Sequence, residues 1–149
     1  MKSNIVAIIP IRKNSQRIKN KNFINFYKGK SLLEIKINQL KKIKEIDRIV
    51  ISSDSSRAEK IAKKHNIFFH KREKYFASSK CSNSEFWSHI AKTTEAKYIM
   101  FTNCTSPLIK KKTYEKIINT FEKIKNSSDS INTVTELKDY LYLKNKPLN

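Results

Sequence analysis

The sequence predicts an α/β fold in which a mostly parallel sheet is covered by helices on both faces. Short apolar runs rich in β-branched residues alternate along the chain with segments whose apolar residues recur at helical spacing. Serine–glutamate pairs typical of helix starts stand at three of the transitions. This alternation is typical of parallel sheets with helical crossovers, and 149 residues make one ordinary domain, so we expect a single domain over residues 1–149.

The predicted strands and helices alternate from the N-terminus onward. Strands are predicted over residues 5–9, 48–51, 67–69, 98–102 and 131–134. Helices are predicted where apolar residues recur three or four positions apart: Leu32, Leu33, Ile37 and Leu40; Ala58, Ile61 and Ala62; residues 86–91; and Tyr114, Ile117, Ile118 and Phe121. The last stretch, residues 138–149, shows no periodicity and is predicted to be weakly structured.

Three helix starts are marked by S-x-x-E capping boxes, in which each side chain accepts a hydrogen bond from the other residue's backbone N–H. The pairs are Ser31 with Glu34, Ser56 with Glu59, and Ser82 with Glu85. Each pair stands at the start of a segment with helical periodicity. The caps and the periodicity therefore predict the same three helices.

The cysteines and the apolar runs exclude several classes of protein. Cys81 and Cys104 lie far apart without a C-x-x-C pattern or a histidine-rich neighbour, so neither a disulfide framework nor a zinc site is indicated. The N-terminal apolar run over residues 5–9 is too short for a signal peptide and far too short to span a bilayer. We therefore expect a cytoplasmic protein without a membrane partner.

The chain carries 32 basic and 13 acidic residues, a net charge of +19, which predicts attraction for polyanions. A basic nucleic-acid-binding module is therefore one candidate function. Only five of the basic residues are arginine, the residue favoured for reading base edges, and this argues against nucleic acid. A lysine-rich composition spread over solvated helix faces also explains the charge. A nucleoside triphosphate as the partner is compatible with both explanations.

In an open parallel sheet, ligands bind beyond the carboxyl ends of the strands. The first loop at that edge, residues 10–30, is far longer than a usual connection between a strand and a helix, which indicates a function. It carries cations, amides and a hydroxyl that can donate to phosphate: Arg12, Asn14, Ser15, Arg17, Lys19, Lys21 and Asn22. Gly29 is the only glycine, so glycine-rich phosphate loops are excluded. The loop is either a phosphate-binding segment or a solvated basic loop.

Four segments of the chain, taken together in their order, favour the phosphate-binding interpretation of this loop. They are I-I-P-I-R-K-N-S-Q-R-I-K-N-K-N at residues 8–22, D-R-I-V-I-S-S-D-S at residues 47–55, R-E-K-Y-F-A-S-S-K-C-S-N at residues 72–83 and N-C-T-S-P-L at residues 103–108. The ordered set resembles the N-terminal portion of the acylneuraminate cytidylyltransferases, the CMP-N-acetylneuraminate and CMP-nonulosonate synthetases. The resemblance implies a Rossmann-like nucleotidyltransferase fold. It also implies transfer of CMP from CTP to a sialic-acid-like nonulosonic acid, with release of pyrophosphate.

The resemblance further implies roles for individual residues. Arg12 and Lys21 would act as catalytic cations that neutralise charge on the α-phosphate and the departing pyrophosphate. Phosphate or substrate contacts are implied for Asn14, Ser15, Arg17 and Asn22, cytosine and ribose contacts for Arg72, Cys81 and Asn83, and a sugar-acid contact for Asn103.

The chain departs from the family's pattern at Gln16, Arg17, Ser79 and Ile109, where the family usually has Lys, Gly, Asp and Arg. One of the family's phosphate-binding cations is therefore either missing here or supplied by Arg17. The resemblance implies Mg²⁺ as a cofactor and a homodimer. We expect the metal-binding carboxylates and the pairing arm to lie in a C-terminal segment beyond residue 149, so the metal ligands are unknown and dimerisation of this chain is in doubt. An inactive remnant of the synthetase is a third candidate.

Some polar and aromatic residues have simpler interpretations. Asp54, after the second strand, is expected to form an Asx turn or to cap the following helix rather than to meet a ligand. His65, His70 and His89 have no carboxylate or cysteine at catalytic spacing, so none is predicted to be a base. Trp87 is expected to pack in a core or an interface.

Overall fold

The computed structural model describes residues 4–13, 18–134, 142–144 and 146–147. The chain forms two compact units, Met1–Glu115 and Lys116–Asn149, and the single domain expected over residues 1–149 stays a prediction. In chain order the elements are β1 (Ile5–Pro10), β2 (Asn25–Tyr27), β3 (Lys30–Ser31), α1 (Leu32–Leu40), β4 (Ile46–Ser53), α2 (Ser56–Lys64), β5 (Phe68–Lys71), α3 (Lys74–Ala77), α4 (Asn83–Thr93), β6 (Tyr98–Phe101), α5 (Lys111–Ile124), β7 (Tyr142–Leu143) and β8 (Lys146–Pro147).

The first unit contains a four-stranded parallel sheet in the order β5-β4-β1-β6. β1 lies between β4 and β6, and its residues 5–9 are all buried, as expected of a central strand covered on both faces. Helices separate the successive strands of this sheet along the chain. The predicted α/β fold with a mostly parallel sheet is therefore confirmed.

The core follows the predicted periodicities. On one side of the sheet, Val6 and Ile8 of β1 pack with Phe86 and Ile90 of α4, which are four residues apart and so share one helix face. The buried residues of α1 and α2 also recur at helical spacing: Leu32, Leu33, Lys36, Ile37, Leu40, Ala58 and Ala62. Of these, only Lys36 was not predicted as a core residue.

Two of the three predicted capping boxes are confirmed, those of Ser31 with Glu34 and Ser82 with Glu85. The third is wrong. Helix α2 begins at Ser56, so its N-cap is Ser55, whose side chain makes no capping hydrogen bond. The Glu59 carboxylate instead lies 2.9 Å from the Lys63 ammonium one turn further along the helix.

The remaining differences concern short or exposed segments. The strand predicted over residues 131–134 is wrong, because this segment has no regular structure and Val134 is 91% exposed. The antiparallel pair β2–β3 lies inside the predicted long loop, and β7 pairs with β8 inside the stretch predicted to be weakly structured. Trp87 is 52% exposed and stacks on Phe101, so it lies outside the core.

Candidate functional site

Four strand ends meet at one edge of the sheet. The register pairs Pro10 of β1 with Ser52 of β4, and Ser53 of β4 with Lys71 of β5. On its other side, β1 pairs with β6, which ends at Phe101. Because all these strands are parallel, the segments that follow them start side by side at this carboxyl edge. The loops predicted to bind a ligand therefore begin next to one another.

The first loop is fixed to its neighbour as soon as it leaves β1. The Ile11 N–H donates to the Ser52 carbonyl at 3.1 Å, and the Lys13 N–H donates to Asp54 Oδ1 at 2.7 Å. The N-cap role predicted for Asp54 as one of two local roles is wrong, because Ser55 takes the N-cap position of α2. The Asp54 carboxylate instead holds the backbone of the first loop at the sheet edge.

Arg12 lies between these two anchors and is exposed. Its Nη1 donates to the Ser78 carbonyl at 3.3 Å, which connects the loop after β1 with the segment that follows α3. A guanidinium has five N–H donors, and this contact uses one of them. Arg12 therefore lies at the carboxyl edge of the sheet and uses one of its five donors in this contact.

Arg72 follows β5 and is only 6% exposed. Its Nη2 donates to the Ser52 carbonyl at 2.7 Å, its Nε donates to Ser52 Oγ at 3.3 Å, and the guanidinium lies 4.2 Å from the centre of the Phe86 ring. Burial lowers the pKa of Arg72 to about 10, the Asp54 carboxylate opposes this, and the positive charge of Arg12 adds to it. The group stays charged at neutral pH, so two guanidiniums and one carboxylate share this edge with a net positive charge.

The second half of the first loop is held by α2. Arg57 Nη2 donates to the Phe23 carbonyl at 3.0 Å and lies over the Phe23 ring. Asn22 is 9% exposed, and its Oδ1 accepts no hydrogen bond from the described residues. Lys21 is half-buried and close enough to Cys104 for its charge to act on the pKa of that thiol. The last of these interactions places the end of the loop beside the turn that follows β6.

The other predicted contact residues stand around the same edge. Cys81 is half-buried against the core cluster, and its Sγ donates to the Ser82 carbonyl at 3.3 Å. Asn83 is exposed in the first turn of α4, and Asn103 is exposed just after β6. The three predicted residues Asn14, Ser15 and Arg17 lie outside the described residues. The roles of all these residues stay predictions.

Sequence reasoning missed Lys36 of α1. It is fully buried, and its Nζ donates to the Ser106 carbonyl at 2.9 Å and to the Tyr114 hydroxyl at 2.6 Å. Burial lowers the pKa of Lys36 and raises the pKa of Tyr114 to about 12. The signal was present in the sequence, since position 36 shares the apolar face of Leu33 and Leu40.

The described residues offer neither a cluster of metal ligands nor a membrane-spanning helix. They contain no group of three or more His, Cys, Asp or Glu residues that could hold a metal ion, so by themselves they do not fit a magnesium site. In the same part of the chain, no helix combines the length and the apolar character needed to cross a membrane. Mg²⁺ stays a prediction of the resemblance.

Comparison with known proteins supplies the family. A family model described as cytidylyltransferase matches residues 6–148. The chain belongs to this cytidylyltransferase family. It is 30% identical over 89 residues to the N-acylneuraminate cytidylyltransferase of Escherichia coli O18:K1:H7. The aligned segment covers 60% of this chain and 21% of that protein. The predicted family is thereby confirmed.

Two further matches extend over more of the cytidylyltransferase-family chain. It is 29% identical over 126 residues to a Helicobacter pylori protein named pseudaminic acid cytidylyltransferase and UDP-2,4-diacetamido-2,4,6-trideoxy-beta-L-altropyranose hydrolase, covering 82% of this chain and 24% of that one. The solved CMP:2-keto-3-deoxy-manno-octonic acid synthetase in complex with CTP superposes with a TM-score of 0.66 at 15% identity, over 81% of this chain and 48% of that one. This confirms the nucleotidyltransferase fold. The chain spans less than half of each of these three proteins.

Proposed function

We propose that this chain carries the CTP site of a cytidylyltransferase that transfers CMP from CTP to a sialic-acid-like nonulosonic acid and releases pyrophosphate. The observation that carries the proposal is the charge at the carboxyl edge of the sheet. Arg12 and Arg72 come from different strand ends and lie close enough for the charge of one to lower the pKa of the other. Two cations that repel each other in the free protein are stabilised when a polyanion binds between them.

The reaction is an in-line displacement at the α-phosphorus of CTP. The sugar hydroxyl attacks, the bond from the α-phosphorus to the bridging oxygen of pyrophosphate breaks, and the hydroxyl proton is released. Arg12 and Lys21 neutralise the charge that develops on the α-phosphate and on the leaving pyrophosphate, while Asp54 keeps the backbone next to Arg12 in place. No covalent enzyme intermediate is required.

The remaining predicted contacts divide between the two substrates. Arg72, Cys81 and Asn83 would surround the cytosine and the ribose, and Arg72 would do so with Nη1, since its described hydrogen bonds use Nε and Nη2. Asn22 Oδ1 is a buried acceptor without a described partner, which suits a donor on the ligand. Asn103 would donate its side-chain amide to the sugar acid.

Three other features are part of the proposal. They are Mg²⁺ as cofactor and a homodimer as the assembly found in the family, both implied by the family resemblance, and the cytoplasm as the location, expected from the shortness of the N-terminal apolar run. The family match does not favour a nucleic-acid-binding module as the function. The names of the two relatives, which act on N-acylneuraminate and pseudaminic acid, support a nonulosonic acid as acceptor.

Calorimetric titration of the chain with CTP tests the proposal. We expect CTP to bind more tightly than UTP or ATP, and the Arg12→Gln and Lys21→Gln variants each to weaken CTP binding by about tenfold or more, since each removes a charge-assisted contact. Lys44→Gln is the matched control. It removes the same charge from an exposed residue in the turn that precedes β4, at the opposite edge of the sheet.

The proposal is wrong if CTP gives no binding heat, or if Lys44→Gln weakens binding as much as Arg12→Gln does. The second result would mean that only the net charge of +19 attracts the nucleotide. A parallel titration with single-stranded DNA at increasing salt separates this case, because non-specific polyanion binding falls steeply with salt.

A further inference from the structure

Lys36 is a buried cation on an apolar helix face. It is 0% exposed and shares that face with Leu33 and Leu40, which are also fully buried. None of the ion pairs among the described residues includes it. Burying an ammonium without a carboxylate is costly, whereas methionine or leucine here would continue the apolar face without that cost. Stability alone therefore does not explain a lysine at this position.

The contacts of Lys36 indicate what it does. Its Nζ donates to the Ser106 carbonyl at 2.9 Å, and Gln39, on the same helix, donates from Nε2 to the Pro107 carbonyl at 2.5 Å. The Ser106 N–H in turn donates to the Asn103 carbonyl at 3.4 Å. Two side chains of α1 thus donate to two consecutive carbonyls of the turn after β6. The turn also contains an internal hydrogen bond that ends on the Asn103 carbonyl.

The charge of Lys36 has no described counter-charge in its surroundings. The titratable groups that face it are the Tyr114 hydroxyl from α5 and the Cys104 thiol from the turn, and burial raises the pKa of each to about 12. Both are therefore neutral at physiological pH. Lys21, the other charged group near Cys104, is also a cation. An anion bound on the outer side of the turn would meet the positive potential of Lys36 through a poorly screened interior.

We propose that Lys36 is a positioning residue that holds the turn over residues 103–107 in the place from which Asn103 contacts the acid substrate, with its charge favouring the substrate's carboxylate. This inference rests on the proposed function, in that the acid is the acceptor of CMP. In this arrangement α1 positions the turn that contacts the acceptor, whereas Asp54 and Ser52 position the loop after β1 that contacts CTP. Loss of Lys36 therefore acts on the acceptor and not on CTP.

Hydrogen–deuterium exchange and two titrations on Lys36→Met test the inference. We expect the backbone amides of residues 104–106 to exchange about tenfold faster than in the unchanged chain, while the amides of β1 and β4 keep their protection. With CTP present, binding of N-acetylneuraminate should weaken about tenfold, and CTP affinity should stay the same. Lys41→Met is the matched control, because Lys41 is exposed at the end of α1 and donates to the His65 carbonyl away from the turn.

A second variant tests the same inference if the Lys36→Met protein does not fold. Gln39→Leu removes the other anchor of the turn, and Gln39 Oε1 has no described partner, so the helix should tolerate leucine. We expect Gln39→Leu to weaken binding of the acid but not of CTP, by less than Lys36→Met does. Unchanged exchange in residues 104–106, an equal loss of acid and CTP binding, or no acid binding by the unchanged chain in the presence of CTP would each overturn the inference. Absence of CTP binding would instead contradict the proposed function, and the exchange rates would still decide whether Lys36 holds the turn.

Discussion

The capping box of α1 makes a quantitative prediction about stability against pH. The Glu34 carboxylate accepts hydrogen bonds from the Ser31 N–H at 3.1 Å, from Ser31 Oγ at 2.9 Å and from Lys64 Nζ at 3.1 Å. These bonds, the backbone one first, lower the pKa of Glu34 from 4.5 to about 2. Helix α1 carries Lys36 and Gln39, so the cap also supports the residues that hold the turn after β6.

The magnitude follows from the shift in pKa. A carboxyl whose pKa falls from 4.5 to about 2 on folding favours the folded state by up to ~3 kcal/mol at neutral pH. Lys64 is 69% exposed and its contribution is screened by solvent, so we expect about 1–2 kcal/mol from Glu34. Because the folded-state pKa is the lower one, this stabilisation is complete above pH 4.5. It is lost as the pH falls through the window down to about 2.

Urea unfolding of the unchanged chain and of Glu34→Gln, followed by circular dichroism at several pH values, checks the prediction. Glutamine keeps the shape of the capping box but removes the charge. The variant should be less stable by about 1–2 kcal/mol at neutral pH, and the gap should close between pH 4.5 and 2. Glu85→Gln in the box of α4 is the control, where the more exposed carboxylate gives a smaller gap. A gap that stays constant across this window would mean that the charge of Glu34 does not stabilise the folded chain.

Three further predictions concern residues at or beside the sheet edge. Thr102→Val should lower the free energy of unfolding in urea by about 1 kcal/mol, because it removes the buried hydroxyl that donates to the Ile8 carbonyl at 3.1 Å, while that carbonyl still accepts the Thr102 N–H; a neutral result would contradict this. Cys81 should react with a thiol reagent in the folded protein and Cys104, buried with its pKa raised to about 12, only on unfolding; equal rates would show that Cys104 is accessible. Asp54→Ala should lose about 1–2 kcal/mol of stability and Asp54→Asn less, since the amide oxygen still accepts the N–H that follows Arg12; equal losses would mean that the charge, not the acceptor, matters.

The fold was predictable where hydrophobic periodicity decides it. The run at residues 5–9 is buried in the central strand, and the spacing of Leu33 and Leu40 places α1 correctly. The pair β2–β3 was not predictable, because its three-residue strand is exposed and carries no alternation of apolar and polar residues. The strand predicted over residues 131–134 rested on β propensity alone, which does not form a strand without a neighbour to pair with.

The site was predictable in its location and less so in its internal contacts. The motif order led to Arg12 and Arg72, which the structure places at one sheet edge. Asp54 was misassigned because an aspartate before a helix has a strong local role, and the tertiary contact to Lys13 across 41 residues leaves no local signal. Lys36 was missed because a lysine on a helix is ordinarily read as solvated, although its position on the apolar face argued otherwise.

The cations that follow β1 are proposed to bind the phosphates of a cytidine nucleotide. Calorimetric titration of the unchanged chain with CTP and with CMP isolates this contact, because the two ligands share the base, the ribose and the α-phosphate. We expect CTP to bind about tenfold or more tightly than CMP, since the β- and γ-phosphates add charge-assisted contacts. Equal affinities for the two nucleotides, or no binding of either, would contradict this proposal.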